Sequence, residues 1–229
     1  NFLFIPLYLV ILFAQAQATF TTMSFKIELN NKGLVTSLQD ITGRKEYLYQ
    51  DTITALLRVK TKGTWELPAS MTFDRAKQLL TFRFPSQVVL DVKVTTKDTY
   101  LTFEIIEAKP MSKLDRVLWG SFSTTINKTV GEIIGVVRND DFAIGIQALN
   151  LKTTGGYPFN DEGYESARGS AALPKTWGSL LQAYSINRSV SRQVAVWNGN
   201  FQQMPVVPLP TETVAGSKIA LFGISEKKV

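Results

Sequence analysis

The chain of 229 residues contains neither cysteine nor histidine. Without cysteine no disulfide can brace it, so a small fold that depends on disulfides is excluded. Without histidine it lacks the commonest proton shuttle near neutral pH and the commonest transition-metal ligand. Together the two absences exclude zinc sites built on those donors, and nucleophile systems of the Ser-His or Cys-His kind. Calcium stays open, since it needs only oxygen ligands; no other cofactor is expected. Phosphate-cradling glycine loops and dinucleotide fingerprints are missing as well. So are basic runs. Lys and Arg number 25 against 19 Asp and Glu, a net charge of +6. They stand singly along alternating segments, which reads as a solvated basic surface and not as a nucleic-acid interface.

Residues 2–13 are almost wholly apolar and uncharged, and run into Ala14-Gln15-Ala16-Gln17-Ala18. A membrane-spanning helix needs about 20 apolar residues. An apolar stretch of roughly 7–15 residues followed by small residues at alternate positions is instead a secretory signal peptide. Cleavage is expected after Ala16 or Ala18. Residues 1–18 are therefore read as signal and 19–229 as one domain, secreted or periplasmic, with no membrane span after cleavage. The first residue is Asn, and no basic segment precedes the apolar run. The chain thus reads as a fragment of a longer enzyme.

Beyond the signal, apolar residues alternate with polar ones. Phe25, Ile27 and Leu29 alternate with Lys26, Glu28 and Asn30, and NNKG then supplies a turn. Ile53, Ala55, Leu57 and Val59 are expected to share a face, as are Leu80, Phe82 and Phe84 after a turn at 74–77. Val88, Leu90, Val92 and Val94 repeat the pattern, and Leu101, Phe103 and Ile105 repeat it again. Alternation with one apolar face marks half-buried strands, and short polar turns between them mark antiparallel hairpins. No stretch carries a sustained helical stripe. The fold class is all-β, two antiparallel sheets packed face to face.

IIGVVR, Asn139-Asp140-Asp141 and FAIGIQAL read as a hairpin whose turn residues bond their own backbone. In its second strand Phe142, Ile144 and Ile146 share one face, with Ala143, Gly145 and Gln147 on the other. A strand glycine there implies close approach by another backbone or a ligand, or packing against a second sheet or domain. From 152 to 178 the alternation fails. Tyr157, Phe159, Tyr164 and Trp177 stand there among acids and glycines. A loop longer than about 12–15 residues is commonly functional or disordered, and aromatic content argues against disorder. SLLQAYSI resumes the strands, MPVVPLP reads as a proline-rich bridge, and GSKIALFGI as a last strand.

Carboxylates are the remaining catalytic currency: Asp161, Glu162 and Glu165 in the loop, Asp140 and Asp141 in the hairpin turn. Glycoside hydrolysis needs two carboxyl groups, about 5–5.5 Å apart for retention or roughly 6.5–9.5 Å for inversion. Acids in turns are ordinarily solvated, so no catalytic residue is assigned. Tyr157, Tyr164 and Trp177 are the candidates for sugar contact, because flat aromatic faces with polar edges suit ligands of mixed character. The other reading is that they pack the loop onto the sheet. Asn127-Lys128-Thr129 and Asn187-Arg188-Ser189 match the short glycosylation pattern.

The segments KIELNNKGLVTSLQDITGRKEYL, VLWGSF, GVVRNDDFAIGIQALN and GSKIALFGI give the chain a likeness in pattern and order. It resembles the N-terminal super-sandwich modules, of galactose-mutarotase-like fold, that precede the catalytic barrel in secreted bacterial glycoside hydrolases. The resemblance implies a non-catalytic module that supports a downstream catalytic domain of the same chain and contacts a glycan or polysaccharide. Mutarotases of that fold use His as acid and Glu as base, a mechanism a chain without His cannot run. The alternatives are a free-standing carbohydrate-binding or adhesion protein, and a polysaccharide lyase or hydrolase that uses its own loop carboxylates.

Overall fold

The computed structural model describes residues 18–131, 135–155, 170–171, 177–197 and 199–226. The apolar N-terminal segment, Tyr157, Phe159, Tyr164 and the loop acids Asp161, Glu162 and Glu165 lie outside these residues.

Strands β1 (Ala18–Thr21), β2 (Phe25–Leu29), β3 (Val35–Asp40) and β4 (Lys45–Glu46) form a four-stranded antiparallel sheet in chain order. Its first turn is fixed by Asn30, whose Oδ1 accepts the N–H groups of Lys32 and Leu34 at 2.9 and 3.0 Å. β5 (Leu57–Thr61) and β6 (Thr64–Glu66) pair as a hairpin. β7 (Ser70–Asp74), β8 (Leu79–Arg83), β9 (Val89–Thr96) and β10 (Tyr100–Lys109) follow as a meander, and β11 (Arg116–Thr124) returns to pair with β5. β12 (Thr129–Val130), β13 (Gly135–Arg138) and β14 (Phe142–Ala148) come next, then β15 (Ser170–Ala171) and β16 (Ser179–Ile186). β17 (Arg192–Trp197) and β18 (Phe201–Val206) form a separate two-stranded ribbon, and β19 (Lys218–Ser225) ends the described chain.

The protein is all-β, and every strand pairing among the described residues is antiparallel. An eight-stranded sheet runs β12-β13-β14-β19-β10-β9-β8-β7 and a five-stranded one β15-β16-β11-β5-β6. Isolated bridges Leu34↔Ala55 and Leu48↔Thr124 link the four-stranded sheet to the five-stranded one. The two jointly face the eight-stranded sheet across one core. In place of two sheets there are thus three, arranged in two layers, with the ribbon besides. Phe20 meets Phe73 and Phe103 edge-on at 5.1 and 5.9 Å, and Tyr47 stacks on Phe142 at 4.9 Å. Trp119, fully buried, donates its Nε1–H to Ser217 Oγ at 3.0 Å. Each large side chain so buried contributes about 1.5–3 kcal/mol.

The alternation identifies most inward faces. Phe25, Ile27, Leu29, Leu80, Phe82, Phe84, Val88, Leu90, Val92, Val94, Leu101, Phe103 and Ile105 are all buried. Ile53 is not. It lies ahead of β5 and is 60% exposed, while Leu56, Lys60 and Thr61 are buried beside Ala55, Leu57 and Val59. The cause is that the five-stranded sheet is covered on both faces. Leu118, Tyr184 and Ile186 form a second cluster with Trp65 on its outer side. Residues 152–178 are likewise not one uninterrupted loop. Thr154 bridges to Tyr184, and Ser170–Ala171 pairs with Gln182 and Leu181. MPVVPLP is not wholly a bridge either, because Met204, Pro205 and Val206 belong to β18.

Gly145 faces an aromatic ring. It pairs directly with Phe222 of β19, and a Cβ there would come within 2.3 Å of the Phe222 ring. The glycine makes room for an aromatic side chain of the neighbouring strand.

Candidate functional site

The end of β11 holds two aromatic rings together from opposite sides. On one side Leu48 bridges Thr124, and the Tyr49 N–H donates to Ser123 O at 3.0 Å. On the other, Ser179 pairs with Thr124, their hydroxyls 2.8 Å apart, and Trp177 precedes it by one glycine. That Gly178 has φ +148°, and a Cβ on it would lie 1.8 Å from Thr124 O. Only glycine allows β16 to begin so close to β11. The result is a Tyr49–Trp177 stack, 4.6 Å between centroids and 24° between planes. Both residues are half-buried. Burial, then a hydrogen bond and the charge of Asp51, raise the Tyr49 phenol above its ordinary pKa.

Of the two readings of Trp177, the structure shows the packing one. It packs against the fold through Tyr49 and keeps part of its surface open. Tyr157 and Tyr164 lie outside the described residues. Tyr49 was not singled out by the sequence: Tyr47 and Leu48 are both buried in the core, and only the pairing of this segment with β11 sets Tyr49 beside Trp177.

Of the candidate acids, Asp140 and Asp141 lie among the described residues. Asp140 is exposed and bound by Lys128, whose hydrogen bond and charge hold its carboxyl below the ordinary value. Asp141 is exposed, and its carbonyl accepts the Glu226 N–H at 3.0 Å. A cleft of about 430 Å³ brings Asp40, Asp141 and Glu226 near Lys45 and Tyr47. Asp40 there accepts the Thr42 N–H at 2.9 Å and caps its own turn. Burial first, then the charges of Asp40 and Asp141, raise the Tyr47 phenol. Among the described residues no group of three or more acids is placed to hold a metal ion.

Of the two glycosylation patterns, Asn187 is buried. Its Nδ2 donates to Leu114 O at 2.7 Å and Met111 O at 3.0 Å, so the folded chain does not offer it to a transferase. Asn127 is exposed.

No protein-family model matches the chain, and no curated protein matches it.

Proposed function

We propose that the chain is a glycan-contacting, non-catalytic β-module of a secreted carbohydrate-active enzyme. The observation that carries this reading is the half-exposed Tyr49–Trp177 stack, a rigid aromatic surface at the end of β11. Stacked rings anchored by backbone pairing lose little freedom when a sugar face settles on them, and they offer apolar area with polar edges. Two layers built on an eight-stranded sheet agree with a super-sandwich of galactose-mutarotase-like form. In that reading the catalytic acids belong to a downstream domain of the same chain, and the signal segment directs the protein out of the cytoplasm.

The test is affinity electrophoresis against a panel of soluble polysaccharides, with reducing-end release measured in parallel. Retardation by at least one polysaccharide is expected, weakened roughly tenfold by Trp177→Ala or Tyr49→Ala, since a stacking contact is worth on the order of 1 kcal/mol or more. Unchanged retardation in both variants refutes the contact. Turnover by this chain alone refutes the non-catalytic role and directs attention to the Asp40, Asp141 and Glu226 cleft.

A further inference from the structure

The cleft of about 430 Å³ gathers acid in a chain whose net charge is +6. Asp40 ends β3, Asp141 lies in the turn before β14, and Glu226 follows β19. Against these three carboxylates, Lys45 of β4 is the cation among the described lining residues. Asp141 and Glu226 are exposed at the rim. Among the described residues none of the three carboxylates has an ion-pair partner.

Two polar side chains deeper in the cleft are buried and incompletely bonded. Asp40 is 2% exposed, and while its Oδ1 caps the Thr42 N–H, its Oδ2 has no partner among the described residues. Gly43 lies against that oxygen, and a Cβ there would collide with it. Tyr47 is fully buried, and its hydroxyl likewise lacks a hydrogen-bond partner. The charges of Asp40 and Asp141 act on this phenol, which sets it toward the acidic side of the cleft. A buried hydroxyl left unpaired costs stability, and a ligand group supplies the partner the fold does not. A cation already rests against the same ring: the exposed Lys45 places its Nζ 5.1 Å from the ring centre.

We propose that this cleft binds a small organic cation through a primary ammonium group, which takes the place now held by Lys45 Nζ. An ammonium brings three donors and no acceptor, so carboxylates and a phenol oxygen match it. The face of Tyr47 adds a cation–π contact. The acids are not grouped closely enough to hold a metal ion, whereas an organic cation reaches them one at a time. The volume lies in the lower part of the range for ligand pockets. The site shares no residue with the Tyr49–Trp177 stack and stands without it.

The experiment is calorimetric titration of the whole chain at mildly acidic pH, where amines are protonated and the carboxylates still ionised. The probes are 1,4-diaminobutane, glucosamine, N-acetylglucosamine and calcium chloride. At least one of the two amines is expected to bind, tenfold or more tightly than neutral N-acetylglucosamine, and calcium does not displace it. Which amine binds separates a diamine from an amino sugar. Its affinity falls as NaCl is raised. It falls roughly tenfold in Glu226→Gln through loss of a charge-assisted hydrogen bond, a variant whose exposed position spares the core. Lys45→Gln tightens binding by removing the competing ammonium. Tyr47→Phe weakens binding while the unbound protein melts no lower, a combination that a purely structural role does not produce. No binding of either amine, equal binding of N-acetylglucosamine, or displacement by calcium overturns the proposal. So does an affinity that Trp177→Ala lowers and Glu226→Gln does not, which assigns the amine to the aromatic stack.

Discussion

Replacing Gly178 by alanine tests how the aromatic pair is built. The comparison is with Gly63, in the turn between β5 and β6. Both glycines have positive φ, +148° and +80°. At Gly63 an added Cβ meets nothing within 4 Å, so Gly63→Ala carries only the backbone strain, about 1 kcal/mol. At Gly178 the same atom would lie 1.8 Å from Thr124 O and 2.8 Å from Thr124 C. Those are backbone atoms of a paired strand, and no side-chain rotation can relieve them. The start of β16 must move away from β11, which strains the Thr124–Ser179 pairing and draws Trp177 off Tyr49. Adding about 1–3 kcal/mol for that displacement brings the total to about 3 kcal/mol. With a urea dependence of about 2 kcal/mol per molar, the unfolding midpoint falls by about 1.5 M in Gly178→Ala and by about 0.5 M in Gly63→Ala. Equilibrium urea unfolding followed by tryptophan fluorescence and far-UV circular dichroism gives both midpoints. Equal shifts in the two variants would refute the argument, because the strand end would then admit a Cβ without cost.

Three further outcomes follow from individual contacts. Tyr47 is buried against Phe142 with a hydroxyl that has no hydrogen-bond partner among the described residues. Tyr47→Phe should therefore stabilise the fold by about 1 kcal/mol, and a lower melting temperature in calorimetry would contradict that. Burial pushes the Glu66 carboxyl up, but hydrogen bonds from the Thr61 hydroxyl and the Ser86 N–H outweigh it and hold the pKa below its ordinary value. A depressed carboxylate contributes stability above its unfolded pKa and loses it as pH falls through the folded one. Glu66→Gln should flatten the decline of the urea midpoint between neutral and acid pH, and an unaltered slope counts against the assignment. Ala18 pairs with Leu29 and is 1% exposed. In the proposed reading of the apolar segment as a signal, cleavage should then occur after Ala16, leaving β1 whole; N-terminal sequencing of exported protein that begins at Thr19 would contradict this.

Strands whose one face meets the core were legible in the sequence, because burial on one side writes a period of two: Phe25 to Leu29, Val88 to Val94, Leu101 to Ile105. β5 was less so, since its sheet is covered on both faces and Leu56, Lys60 and Thr61 break the period. The β17–β18 ribbon was missed for the opposite reason. Val196, Trp197 and Met204 are all exposed, so no inward face marks it. The sequence following Trp197 nonetheless reads Asn-Gly, a strong local hairpin signal. Trp177 was found from its place in an aromatic stretch, but its partner Tyr49 could be recognised only through the pairing of both segments with β11. The meeting of Asp40, Asp141 and Glu226 in one cleft joins segments distant in the chain, which no local pattern reveals.

The ribbon has a consequence for how the molecule behaves in company. It pairs with no other strand among the described residues, and a two-stranded ribbon is the kind of edge on which another chain's strand can add. Apolar side chains at Val196, Trp197 and Met204 would reward such pairing. Pro205, opposite Gln193, works against it. A proline fits a two-stranded ladder only where its nitrogen points away from the partner, so it deletes a donor from the outer rim. Pro205 thus weakens strand addition along the β18 rim, a brake on sheet growth between molecules built into the ribbon itself.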